Sequence, residues 1–149
     1  MAIACEYTLE RQENGWWLVR FPRIPEALTE GETEEEARTS AIDCVITALE
    51  GYMKAGKPIP RPSAPGPGRD RAVLPSLVTA KLAVYETMRK RGWSKTKLAK
   101  ELGVPENSVR RLLDLHHSSQ MGIIDAALAK MKTELPIGLP STRTRGRAA

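Results

Sequence analysis

Between residues 93 and 115 the small and apolar residues fall where two short helices crossing at a steep angle need them, and few folds satisfy that spacing. Leu98, Ala99 and Leu102 stand at i, i+1 and i+4, Gly103 follows at once, and Val104, Val109 and Leu112 complete an inward set. Ala99 is small where the helices come closest, and Gly103 can take the positive φ of a tight turn. Pro105 suits the start of the second helix. With Val109, Leu112 and Leu113 turned inward, the outer face carries Glu106, Asn107, Ser108, Arg110, Arg111 and Asp114. Arginine bonds a guanine edge bidentately and asparagine an adenine edge, so the spacing predicts a helix-turn-helix that reads DNA. The alternative is a plain helical hairpin with a solvated, charged face. Against it, Arg89, Lys90, Arg91, Lys95, Lys97, Lys100, Arg110 and Arg111 are opposed between residues 89 and 111 only by Glu101 and Glu106. Such a one-sided balance neutralises phosphates, and Lys95, Lys97 and Lys100 are the expected backbone contacts.

The formal charge of +5 hides a division along the chain. Residues 1–63 are net −4 and residues 64–149 net +9, which suggests two units with different partners. With 149 residues, 41% hydrophobic and 28% charged, the composition is that of an ordinary globular protein of one domain or two small ones. No apolar run approaches the roughly 18 residues of a membrane span, and no signal peptide is evident, so a cytoplasmic location is expected. Cys5 and Cys44 read as small buried hydrophobes rather than a disulfide pair.

Residues 3–9 and 16–21 are short runs rich in aromatic and β-branched residues, separated by a polar segment containing Gly15, and predict a β-hairpin. Pro22 and Pro25 interrupt the pattern before a weaker third strand over residues 27–30. Thr33 with Glu36 forms a capping box, and Ala37, Ala41, Cys44, Val45, Ala48, Leu49 and Tyr52 make the apolar stripe of a helix that covers the hairpin. Prolines and glycines dominate residues 57–71. The boundary falls there, giving a first domain over 1–63, a linker over 64–72, a second domain over 73–135 and a basic, disordered tail over 136–149. The fold class is therefore α+β in two domains: a small antiparallel sheet with one covering helix, then an all-α bundle. In the second, residues 73–74 predict a brief strand, residues 77–91 a helix, and residues 121–131 a terminal amphipathic helix that offers a dimerisation surface through residues 123–131.

Nothing in the chain assembles as a catalytic centre. His116 and His117 are adjacent, point about 100° apart on a helix, and have no Cys, Asp or Glu at ligand spacing; capping of the recognition helix suits them better. The acids Glu32, Glu34, Glu35 and Glu36 fan around one helix start, whereas two-metal sites need acids from separate elements. They read as helix-start electrostatics or as a docking face for a basic partner. No phosphate loop, activated nucleophile or CxxC pair is present. The sequence argues against an enzyme and calls for no metal or cofactor.

The order of motifs resembles the HicB family, the antitoxins of HicA–HicB toxin–antitoxin modules, in the branch that carries a helix-turn-helix. The resemblance rests on Gly15-Trp16 leading into Phe21-Pro22, on Ile24-Pro25-Glu26-Ala27-Leu28-Thr29 with Gly31-Glu32-Thr33 and Glu36-Ala37, on Ile59-Pro60 with Pro62-Ser63, and on Leu112, Leu115, His116 and His117. It implies a partial RNase H-like N-terminal domain that masks a small basic RNA-cleaving toxin of the HicA type, and a C-terminal domain that binds operator DNA as a homodimer or higher oligomer and represses its own operon. Trp16, Glu30, Glu32, Glu34, Glu35 and Glu36 are the expected toxin-facing residues, and a fragment ending near Ser63 is expected to suffice for that contact. The competing reading is a free-standing helix-turn-helix regulator whose N-terminal domain senses a ligand.

Overall fold

A computed structural model of the chain describes residues 3–61, 70–135 and 139. It is an α+β structure with four strands, β1 (Ala4–Arg11), β2 (Trp17–Arg20), β3 (Leu28–Gly31) and β4 (Asp70–Val73). Its five helices are α1 (Glu34–Lys54), α2 (Ser76–Arg91), α3 (Lys95–Leu102), α4 (Glu106–Leu112) and α5 (Met121–Lys130). The strands form one antiparallel sheet in the order β3-β2-β1-β4.

The hairpin between β1 and β2 closes where the Gln12 N–H donates to the Trp16 carbonyl at 2.7 Å and Gly15 adopts φ +86°. The proline-interrupted loop that follows is ordered by two successive turns, Ile24 N–H to Phe21 O and Ala27 N–H to Ile24 O. Those turns bury Phe21, Ile24 and Ala27 at three-residue steps, and the Phe21 ring meets Tyr7 at 5.5 Å. Thr33 caps α1 by accepting the Glu36 N–H at 3.1 Å, while the Glu36 carboxylate accepts from the Glu32 N–H at 3.1 Å. Ala37, Ala41, Val45, Ile46 and Leu49 then face the sheet. Gly31 marks the closest approach, since a Cβ there would lie 2.5 Å from the Ala37 nitrogen.

The strand expected at residues 73–74 occurs at Asp70–Val73 and completes the sheet beside β1, so residues 70–72, expected in the linker, are strand. Residues 57–61 are also held: the Tyr85 hydroxyl donates to the Lys57 carbonyl at 2.7 Å and the Ile59 N–H to Glu86 Oε1 at 2.9 Å. Residues 64–69 of the expected linker, residues 62–63 before it, and all the expected tail but Leu139 lie outside the described residues.

Helix α2 is buried on several sides and joins two apolar clusters. Val78 and Leu82, with Leu74 and Leu115, pack into the core between the sheet and α1. Ala80, Val84 and Met88 pack with Leu98, Ala99, Val109, Leu112, Ile124, Ala127, Leu128 and Met131 into the second. The first core is thus completed by residues from beyond residue 72. The apolar face of α5, expected as a dimerisation surface, is used inside the chain because α2 and α3 need a lid.

Candidate nucleic-acid and partner surfaces

Helix α3 begins at Ser94, whose hydroxyl accepts the Lys97 N–H at 3.0 Å, and ends at Gly103 with φ +65°. Leu98 and Ala99 are buried beneath it, and Val109 and Leu112 beneath α4. Pro105 was expected at the first helical position and is instead the N-cap of α4, whose first residue is Glu106. Of the expected DNA-facing residues, Lys95, Lys97, Lys100, Glu106, Asn107, Arg110 and Arg111 are exposed and Ser108 is half-buried. Arg110 lies 3.6 Å from Glu106 one turn earlier, a loose pair, and the Lys97 ammonium stands 4.6 Å over the Trp93 ring. Polar groups and free cations thus cover the outer side of a tightly packed helix pair.

The C-terminal end of α4 is held by a residue that periodicity did not single out. Lys81 is fully buried, and its ammonium donates to the carbonyls of Arg111 at 3.1 Å, Asp114 at 2.7 Å and His117 at 2.5 Å. These are carbonyls at or just beyond the end of a helix, where a cation also meets the negative end of the dipole. Burial pushes the Lys81 pKa down, and Asp114 and Glu50 act against that shift. The histidines do not fill the capping role expected of them. His116 instead turns toward α1, 3.3 Å from Thr47 Oγ1 and 3.7 Å from Glu50, because Lys81 already occupies the carbonyl ring. Glu50 also accepts the Leu115 N–H at 2.7 Å, so α1 and α2 both grip the loop after α4. The His116 N–H donates to Asp114 at 3.0 Å and holds that carboxyl below its ordinary range.

Between these helices lies a crevice of about 250 Å³ lined by Glu50, Met53 and Lys54 of α1, Tyr85 of α2, Lys95 of α3 and Arg110, Leu113 and Asp114 at α4. Lys54 and Glu50 gave no sequence signal, since nothing in their spacing joins them to crevice residues 31 to 64 positions further along the chain.

At the other end of the chain, Trp17 stands opposite Gly31 in the sheet register. Trp16 therefore lies at the edge where β3 runs into the start of α1, beside the acids. It is half-buried, and Glu30, Glu32, Glu34, Glu35 and Glu36 are exposed. They are not equivalent. Glu34 is bonded to Arg38 at 2.9 Å and Arg38 reaches Asp70 at 3.0 Å, and the two carboxylates, Asp70 foremost, raise the guanidinium pKa. Glu36 is engaged as a cap. Glu30, Glu32 and Glu35 carry the freer negative charge.

Residues 6–83 match the family described as HicB_like antitoxin of bacterial toxin-antitoxin system. The chain is 35% identical over 133 residues to Antitoxin HicB 1 of Photorhabdus laumondii, covering 89% of this chain and 84% of that one. It is 32% identical over 131 residues to Antitoxin HicB of Escherichia coli K12, covering 87% and 94%. A third relative, Antitoxin HicB of Pseudomonas fluorescens, is 36% identical over 132 residues, covering 87% and 90%. Matches of that length necessarily take in α3 and α4.

Proposed function

The chain belongs to the HicB-like antitoxin family of bacterial toxin–antitoxin systems, and from that premise we propose that it neutralises a small, basic, RNA-cleaving toxin of the HicA type and represses its own operon. The sheet with α1 is then the partial RNase H-like unit, and it acts by covering the toxin rather than by catalysis. The α3–α4 pair is the helix-turn-helix.

One observation carries this reading: the exposed acids Glu30, Glu32 and Glu35 gather where β3 meets α1, while the exposed cations Lys95, Lys97, Lys100, Arg110 and Arg111 belong to α3 and α4. A protein that holds RNA must present positive potential, and an acidic surface both steers it in and competes with its substrate. The second surface suits the polyanion DNA. The half-buried Trp16 supplies an aromatic anchor at the acidic end. Operator binding as a dimer fits the small surface that one helix pair offers DNA. Because the inner face of α5 is filled, the dimer contact falls elsewhere, with the exposed Met121, Gly122 and Ala126 its nearest available patch.

Co-expression of the full chain with the short basic protein encoded beside it tests the first half of the proposal. Growth should be restored and the two proteins should co-purify. Continued toxicity with both proteins folded would remove the antitoxin mechanism and favour a free-standing regulator. For the second half, Arg111→Ala should weaken binding to the upstream duplex by about 1–3 kcal/mol and relax preference at one base pair. Equal affinity of both proteins for native and altered duplexes would contradict it.

A further inference from the structure

We propose that Lys54, on the last turn of α1, joins Lys95 and Arg110 in holding one backbone phosphate of a bound DNA strand, so that the half of the chain assigned to toxin also contacts DNA. The inference rests on reading α3 and α4 as the DNA-facing pair. It starts from the crevice that brings three cations, Lys54, Lys95 and Arg110, together with two carboxylates, Glu50 and Asp114.

The carboxylates already have partners. Glu50 accepts the Leu115 N–H and faces His116, and Asp114 accepts the His116 N–H. The cations are freer: Arg110 has only the 3.6 Å approach to Glu106, and among the described residues neither Lys54 nor Lys95 has an ion-pair partner. A site whose acids are satisfied internally and whose cations are not takes an anion from outside. Met53, Tyr85 and Leu113 form its apolar wall. Arginine offers a planar fork and lysine a point charge, and a phosphate diester has oxygens for both. Lys95 lies on α3 and Arg110 on α4, the two helices read as the DNA-facing pair. A phosphate in the crevice is therefore next to the duplex those helices would grip.

The test is the salt dependence of binding, by fluorescence anisotropy, of the full chain to a labelled duplex of its own upstream region and to one of unrelated sequence. Lys54→Ala should flatten the log–log slope by about one unit on both duplexes between about 50 and 200 mM salt, and Lys54→Arg should restore it. Its melting temperature and its complex with the neighbouring basic protein should be unchanged. An unaltered slope in Lys54→Ala overturns the proposal. So does inorganic phosphate that shifts the Lys54 and Lys95 resonances while the duplex slope stays the same, since the crevice would then serve a free anion. Unsubstituted protein that binds neither duplex removes the DNA reading itself, and this inference with it.

Discussion

Lys81 is a fully buried cation bonded to three backbone carbonyls. Two of these, of Arg111 and Asp114, otherwise receive only a long 3.2 Å backbone N–H, so Lys81→Met deletes three charge-assisted bonds at once. We predict a loss of about 2–4 kcal/mol in chemical denaturation, with looser amide-exchange protection in residues 112–117. A stability within about 0.5 kcal/mol of the unsubstituted protein would contradict this. Cys5 makes a prediction in pH. Burial pushes its thiol up to about 11, above the ordinary value of 9.0. The unfolded thiol ionises first as pH rises, so the stability that the neutral buried thiol contributes is complete below pH 9 and is lost through about 11. Cys5→Ala should show a shallower alkaline decline than the unsubstituted protein, and parallel curves would refute that assignment. Neither role was legible in the sequence: a lysine inside an apolar helix reads as an exposed residue, and Cys5 was placed in the core without its titration.

At the scale of elements, spacing gave the hairpin, α1, and the α3–α4 pair within one or two residues, because each carries its own periodic pattern and its own turn or cap chemistry. It gave less where a partner distant in sequence decides. Strand β4 exists because β1 has an open edge, and Phe21, Ile24 and Ala27 enter the core from a loop through consecutive turns. The amphipathic stripe of α5 was legible, but its destination was not, since a helix that covers its own domain and one that pairs with a second copy have the same pattern. The contact between β3 and α1 supplies the prediction here. Gly31→Ala would drive a Cβ into the Ala37 backbone, with no flexible side chain to yield. It should destabilise the chain by about 1–3 kcal/mol in a urea titration, while Gly51→Ala, where the added carbon meets nothing, should not.

Over the whole molecule, the charge division was readable from the sequence and the mechanical division was not. Leu74, Val78, Leu82 and Leu115 belong to the first core, so a fragment ending near Ser63 lacks β4 and part of its own interior. Such a fragment is predicted to melt well below the full chain or not to fold, against the expectation that it would suffice for toxin contact; a cooperative transition at the full chain's temperature would contradict this. Glu50, Lys81 and His116 tie the two surfaces to one framework, which is why the candidate partner and nucleic-acid sites are best measured on the intact protein. The most direct measurement is a calorimetric titration of the intact chain with the short basic protein encoded beside it, repeated with Glu30→Gln, Glu32→Gln and Glu35→Gln combined. The account predicts a tight complex that the combined variant weakens by about tenfold or more at low salt, with the difference shrinking as salt rises. Equal affinity for both, with both proteins folded, would contradict the acidic end of the sheet as the toxin-binding surface.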